Sequence, residues 1–246
     1  MLKIENFEVM GWEHAIRGMR NPMNSWEKSD SECLFHALPN YSYDDPKAEE
    51  YTRYLDDYNL NLKLGPNDYT LMKKLRDGGP VHAKYRRMIT VYLDITAPLY
   101  WWKEFDTYKV GTVANSCSTM HKIHAKKFTP EDFSCEHLHK KSFLHLIETI
   151  KILNDWRDIY LNGGEVDNLD GTSCNIYEKN NKDVWLQMIQ LLPSSYNQKR
   201  TVMLNYEVLA NIYESRKDHK LDEWHTFCHW IDELPYSELI TGYKEE

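Results

Sequence analysis

Nothing in the sequence approaches the roughly 20 consecutive apolar residues that a helix needs to cross a bilayer. The opening MLKIENFEVMGWEH also lacks the basic-then-apolar order of a secretion signal. A soluble, cytoplasmic chain with no membrane partner is therefore expected. Cysteine is sparse: five are scattered along 246 residues, an odd number that makes no disulfide framework, so reduced thiols are expected. Positive charge is in deficit, with 30 lysines and arginines against 38 acids and a formal net charge of −8. That excludes a general nucleic-acid binder, because tracking phosphates needs a net basic face. No GxGxxG, Walker-type loop or GxSxG occurs. There is no internal repeat, low-complexity tract or linker, and the length is compatible with the expectation of a single domain over residues 1–246.

Aromatic residues, by contrast, are plentiful. Eight tryptophans and seventeen tyrosines suit either flat aromatic ligands or subunit interfaces. They concentrate, with charges and small hydroxyls, in PLYWWKEFDTYKVGTVANSCSTMHKI, Pro98 to Ile123. Its first half reads as a short, largely buried helix from Leu99 to Val110, started by Pro98 and ended by Gly111. Thr112 to Thr119 is then a run of small polar side chains, a loop that presents hydroxyls and N–H groups to an anion. Lys103, Lys109 and Lys122 supply positive charge while Glu104 and Asp106 temper it, which favours a small phosphorylated ligand over a polynucleotide. The competing reading of the same stretch is an aromatic core helix followed by a solvated loop.

Around this stretch the pattern predicts an opening strand over 2–9, a helix over 12–19 and helices over 45–58 and 68–76. Arg86 to Thr96 is the clearest strand, because Ile89, Val91, Leu93 and Ile95 alternate with more polar neighbours. Thr129-Pro130-Glu131-Asp132 is a helix start. A long helix covers 140–161, followed by a long surface loop over 162–180, a candidate lid or insertion. Beyond a helix over 183–192, residues 197–205 form a strand or turn. Asn205 caps a helix through about Lys217, and a last helix covers 221–234.

His121-x-x-His124 followed by Cys135-x-His137-x-His139 supplies ligand types that zinc accepts, but the spacing matches no standard module, and solvated histidines explain it more simply. No metal is expected. Cys117 is a candidate nucleophile without an identifiable base, and a small buried thiol is the simpler reading. Asn205, Asn211, Arg216, Asp218 and His219 form a second polar constellation. Asparagine suits the edge of a flavin or pyrimidine, and arginine suits a phosphate or a pyrimidine carbonyl.

The order of these pieces resembles the flavin-dependent thymidylate synthases, in which a strand leads through Ala-Pro into an aromatic helix and the signature RHRxxSxNExSxRY. Here Ala97-Pro98 and Trp101-Trp102 match, and an ungapped register sets Thr107-Tyr108-Lys109 on Arg-His-Arg. The same register places Thr112 on the first Ser, Asn115 on the Glu, Cys117 on the second Ser and Thr119 on the following Arg. Leu192-Pro193 looks like the family's Leu-Pro element. Beyond it, two flavin-contacting asparagines and a nucleotide-binding arginine fall on Asn205, Asn211 and Arg216. A further family arginine falls near Ile189 or Gln190 and is missing.

The resemblance covers about 86–234 and implies an α+β (mixed α/β) fold, an antiparallel-type sheet flanked by helices. It implies a homotetramer holding FAD and dUMP, with NADPH and methylenetetrahydrofolate as co-substrates and transfer of a one-carbon unit to C5 of dUMP or a related deoxypyrimidine nucleotide. On the residues, it assigns Lys109, Thr112, Ser116, Ser118 and Arg216 to the nucleotide, with Arg216 also catalytic. Tyr108, Lys109, Asn115, Asn205 and Asn211 go to FAD. The missing arginines leave a second possibility, a non-catalytic nucleotide sensor or sequestering protein on the same scaffold.

Overall fold

The computed structural model describes residues 2–33 and 62–242. The helix expected over 45–58 lies outside them. In chain order the elements are β1 (Lys3–Met10), α1 (Trp12–Arg20), β2 (Glu32–Cys33), β3 (Leu62–Lys63), α2 (Pro66–Asp77) and β4 (Thr90–Pro98). Then follow α3 (Leu99–Phe105), β5 (Val113–Ser116), α4 (Thr119–Lys122), α5 (Lys140–Asn162), β6 (Gly164–Asp167) and β7 (Ser173–Ile176). The chain continues through α6 (Lys182–Leu191), β8 (Asn197–Asn205), α7 (Tyr206–Arg216), α8 (Asp222–Asp232) and α9 (Glu238–Thr241). The fold is the expected mixed one, with an antiparallel sheet in the order β1-β4-β8-β5 and helices flanking it. No helix among the described residues is long and apolar enough to cross a membrane.

The alternation in β4 has the expected consequence: Val91, Leu93, Ile95 and Ala97 are buried, while Thr90, Tyr92, Asp94 and Thr96 lie on the other face. In β8, Val202 and Leu204 are buried the same way, and the polar Gln198 joins them. The segment expected as strand or turn is a strand because this second apolar series continues the sheet's inner face.

Among the described residues, contacts divide into two compact units. One is built mainly from Thr96–Asp106 and Asn115–Arg200, the other mainly from Ile4–Ile95, Thr107–Ala114 and Thr201–Glu246. The first has a core of Ile123, Phe128, Phe133, Leu146, Ile150, Leu153 and Met188. In it Asn154 of α5 is buried, its Oδ1 accepting from Phe128 N and its Nδ2 donating to Phe128 O, each at 2.9 Å. A single carboxamide thereby satisfies both backbone groups of a buried loop residue.

Three expectations between residues 112 and 180 are corrected. Thr129 does begin a capped segment, with Asp132 completing the capping box, but only one 3₁₀ turn forms, because Phe133 goes extended to bridge Tyr196. The polar run 112–119 is not all loop: residues 113–116 are β5, and Ser118 caps the short α4. Residues 162–180 are not one long loop either. Gly163, at φ +80°, closes α5, and β6 then pairs antiparallel with β7 from Gly164↔Ile176 to Asp167↔Ser173. Pairing supplies partners for backbone that a loop would leave to water.

In the second unit, Tyr206 is fully buried, edge-on to Trp12 with centroids 5.5 Å apart, and its hydroxyl donates to Pro235 O at 2.6 Å. Burial pushes that phenol's pKa well above its ordinary value. A buried ion pair ties α1 to α2: Arg20 Nε donates to Asp68 Oδ1 at 2.6 Å, and both side chains are almost fully excluded from solvent. The other carboxylate oxygen accepts from the Ser29 and Ser31 hydroxyls, each at 2.7 Å, and from the Asp30 and Ser31 N–H groups, each at 3.2 Å.

Burial works to raise the Asp68 pKa, but hydrogen bonds from Ser29, Ser31 and Arg20, with the charge of Arg20, outweigh it and hold the carboxyl below its usual value. A depressed carboxyl pKa contributes stability that is present above the unfolded value of about 4 and is lost as pH falls through the folded value. Asp68→Ala, which strands a buried guanidinium, is expected to cost about 3–5 kcal/mol near neutral pH. Denaturant titrations of both proteins between pH 6 and pH 2 should show the gap narrowing below about pH 4.

Candidate functional site

Strand β4 delivers the chain through Pro98 into α3, whose rings turn inward. Trp101, Trp102 and Phe105 are each at most 1% exposed, and the Trp101 and Phe105 rings stack with centroids 5.1 Å apart. The helix N-terminus is closed by the segment after Leu192-Pro193: Leu99 N donates to Tyr196 O and Tyr100 N to Ser194 O, both at 3.0 Å. The aromatic helix is therefore an anchor in the core and not a stacking platform for a ligand. It stops at Phe105, with Asp106 as C-cap, shorter than the expected end at Val110. Gly111 instead serves a later turn, at φ +81°.

Next to α3 a polar relay fastens the loop that carries Cys117. Trp102 Nε1 donates to Gln198 O at 2.9 Å, and Gln198 Nε2 donates to Cys117 O at 3.0 Å. Cys117 N donates to Lys199 O at 2.9 Å. Arg200 stacks over Trp102 at 4.2 Å, donates from Nε to Gln198 Oε1 at 3.0 Å and pairs through Nη1 with Asp106 at 2.8 Å. The thiol of Cys117 is exposed, against the expectation of a small buried cysteine, because both backbone bonds of the residue run to β8 and leave the side chain outward.

A cavity of about 680 Å³ adjoins Cys117, with Phe133, Tyr196, Cys135 and Asn197 among its walls and the Lys126–Asp132 ion pair at its edge. His124 packs at a tilt against Tyr160, with centroids 4.8 Å apart. No group of three or more histidine, cysteine or acidic residues among the described residues is placed to hold a metal.

The expected site residues divide between the units. Asn115, Ser116 and Ser118 belong to the first. Asn115 and Ser116 are exposed on β5, and Ser118 Oγ accepts from His121 N at 3.1 Å as the N-cap of α4. This Ser118 oxygen is thus partly committed to backbone, while its proton can still be donated.

Tyr108, Lys109, Thr112, Asn205, Asn211 and Arg216 belong to the second unit. Lys109 and Asn211 are exposed. Thr112 is half-buried, and its Oγ1 is buried without a hydrogen-bond partner among the described residues. Asn205 caps α7, as its position implies, with Oδ1 accepting from Val208 N at 3.0 Å. Its Nδ2 faces Gly111, where an added Cβ would lie 3.1 Å from that nitrogen and 3.2 Å from Val208 Cγ2.

Tyr108 and Arg216 come together although 108 positions separate them. Arg216 Nε donates to Tyr108 Oη at 2.9 Å, and the guanidinium lies 4.8 Å from the Trp224 ring centroid and 5.6 Å from that of Tyr108. Tyr108, expected at the flavin, is thereby placed on the residue expected at the nucleotide. Trp224, fully buried on α8, was not among the candidates; its spacing with Phe227, Cys228 and Ile231 marks only a core face.

No known family profile matches the chain, and no curated protein does. Solved structures do match. Thymidylate Synthase X (ThyX) from Helicobacter pylori with FAD and dUMP aligns over 98% of each chain at a TM-score of 0.57 and 13% identity. A second Helicobacter pylori flavin-dependent ThyX, complexed with FAD and dUMP, aligns over 98% of this chain and 97% of that one, at 0.55 and 13%. The UMP/dUMP methylase PolB from Streptomyces cacaoi, bound with 5-Br dUMP, aligns over 99% and 96%, at 0.50 and 10%. The chain thus has the fold of the flavin-dependent thymidylate synthases.

Two substitutions probe the Gly111–Asn205 contact. Gly111→Ala forces a side chain into the left-handed region against Asn205 and Val208, and should lower stability by about 1–3 kcal/mol in denaturant titration. Asn205→Asp keeps the capping oxygen but replaces the Nδ2 donor, so its melting temperature should stay within a few degrees of the parent.

Proposed function

We propose that the protein is a flavin-dependent thymidylate synthase-like enzyme that transfers a one-carbon unit to C5 of dUMP or a related deoxypyrimidine nucleotide. The observation that carries this reading is Arg216, held by a phenol and an indole at the end of α7 in a fold whose solved examples hold FAD and dUMP.

The residues present fit such ligands. The orphaned Thr112 hydroxyl needs an acceptor that a nucleotide oxygen can supply. Asn205 keeps a carboxamide donor beyond its capping role, and Asn211 is exposed on the helix that Asn205 starts. We assign Arg216, Lys109, Thr112, Ser116 and Ser118 to the nucleotide, and Asn205, Asn211 and Asn115 to FAD, with the charge of Lys109 suited to either anion. When bound and reduced by NADPH, the flavin supplies the hydride that completes a methyl group derived from methylenetetrahydrofolate.

The chain's own part is electrostatic. Arg216 polarises the pyrimidine and holds negative charge as it develops there, in a position set before the ligand arrives. Lysine at position 109 is a point charge without the bidentate fork of arginine, so it can hold a phosphate but does not fix its orientation. Val110 is 93% exposed and Val113 is 61% exposed, both beside these residues. That apolar surface favours completion of the site by further copies of the chain, as a homotetramer would provide.

A second reading, a nucleotide-binding module without catalysis, is favoured by Thr107, Thr119 and Asn115 standing where the signature has two arginines and a glutamate. Visible absorption of the purified protein after addition of FAD and removal of the excess separates the two. Near-stoichiometric flavin bands, with NADPH oxidation that responds to dUMP, are expected. A protein that stays colourless but is stabilised by dUMP is the module. Arg216→Ala should remove charge-assisted bonds of about 1.5–3 kcal/mol each, raising the dUMP Kd at least tenfold while FAD stays bound. Unchanged dUMP affinity would remove Arg216 from the site.

A further inference from the structure

We propose that Gln198, with Arg200 as its lock, is a positioning residue for nucleotide binding: its amide holds the Cys117 carbonyl and so fixes where the neighbouring Ser116 and Ser118 hydroxyls stand. The inference rests on the assignment of Ser116 and Ser118 to the nucleotide, and Gln198 acts through them without touching the ligand.

The segment that carries the two serines has little of its own to hold it. Its strand, β5, lies at the edge of the sheet beside β8, and all four of its residues are exposed. With no side chain buried there, packing does not offset the roughly 1–2 kcal/mol per residue that ordering a backbone costs. The segment is held instead at Cys117, between the serines. Cys117 N donates to Lys199 O at 2.9 Å, and Gln198 Nε2 donates to Cys117 O at 3.0 Å, so both backbone groups of that residue end on β8. Gln198 supplies the second of these bonds from a buried position, at 8% exposed.

A carboxamide can be turned end for end, which would aim its oxygen at the Cys117 carbonyl and break the bond. Arg200 excludes that orientation. Its Nε donates to Gln198 Oε1 at 3.0 Å, and a guanidinium only donates while a backbone carbonyl only accepts, so one orientation of the amide satisfies both neighbours. Arg200 is held in turn by its stack on Trp102, 4.2 Å from the ring centroid, and by Asp106, which accepts from Nη1 at 2.8 Å. The Trp102 indole donates to Gln198 O at 2.9 Å, which ties the glutamine backbone to the same anchor. On the far side of Cys117, Ser118 Oγ accepts from His121 N at 3.1 Å, which leaves its O–H to donate to a ligand oxygen. An anion is recognised by donors set in advance, so a carbonyl released between the two serines loosens both hydroxyls at once.

Gln198→Met keeps the length of the side chain and removes the amide. It should raise the Kd for dUMP about fivefold, the loss expected for one net hydrogen bond. The deciding measurement is the same substitution in a Ser116→Ala/Ser118→Ala background, where no hydroxyl is left to position and the Kd should change by less than about twofold. A merely structural role of Gln198 would weaken binding equally in both backgrounds, and that result overturns the proposal. So does an unchanged Kd for Gln198→Met when the two serine substitutions do weaken dUMP binding. If dUMP does not bind the parent, or the serine substitutions leave its affinity intact, the assignment of the serines fails first, and this inference fails with it. Arg200→Met carries the same test if Gln198→Met does not fold, because its stem still covers Trp102 and it leaves Asp106, whose side chain is 47% exposed, to water. It should melt within a few degrees of the parent and raise the dUMP Kd about fivefold, with less than about a twofold effect once the serines are gone. An unchanged Kd for Arg200→Met in the parent overturns its role as the lock.

Discussion

The buried Gln198 ties three elements of the first unit together. Its backbone carbonyl receives the Trp102 indole, its amide nitrogen donates to the Cys117 carbonyl, and its amide oxygen receives Arg200. One polar residue on the inner face of β8 therefore joins the aromatic anchor of α3, the loop after β5 and a cation stacked on the anchor itself. Each bond contributes about 1 kcal/mol net, but a buried amide left unpaired would cost about 1–3 kcal/mol, so the three partners stand or fall together. The relay explains why a loop of small polar side chains keeps a defined path. Both backbone groups of Cys117 are spoken for, while its neighbours Asn115 and Ser116 remain open to solvent.

In the second unit the same division of labour recurs with different chemistry. Asn205 gives its oxygen to the first turn of α7 and keeps its nitrogen toward Gly111. Arg216, eleven positions on, is held by rings. On the reading proposed above, groups that meet the ligand are supported by residues that do not, which orders an anion site in advance at small entropic cost on binding. Lys109 and Asn211 of this unit are exposed, as are the valines at 110 and 113.

Much of the scaffold was legible because its signals are local. The alternation in Arg86–Thr96, the cap at Asn205, the apolar spacing from Lys140 onward and the Ala97-Pro98 turn into an aromatic helix each report one element, and each has its counterpart in the structure. Local signals misled where partners from elsewhere overrode them. Thr129-Pro130-Glu131-Asp132 has every mark of a helix start, yet the extended pairing of Phe133 with Tyr196 ends it after one turn. The glycines after Asn162 read as loop, but antiparallel pairing makes a hairpin of it. Gly111 was legible as a positive-φ position, although what it makes room for is the amide of Asn205.

The sequence by itself determined the longer helices, the strands β1 and β4, the inward face of β4, the core character of the rings around Trp102 and the resemblance in fold. Periodicity and capping act within a few residues, and no distant partner is needed to read them. Only the tertiary structure decided which polar groups are committed and to what. Tyr108 meets Arg216 across 108 positions, and Arg200 meets Asp106 across 94. Contacts at such separations depend on how β8 and the segment after α3 pack around the sheet, and composition carries no record of that geometry.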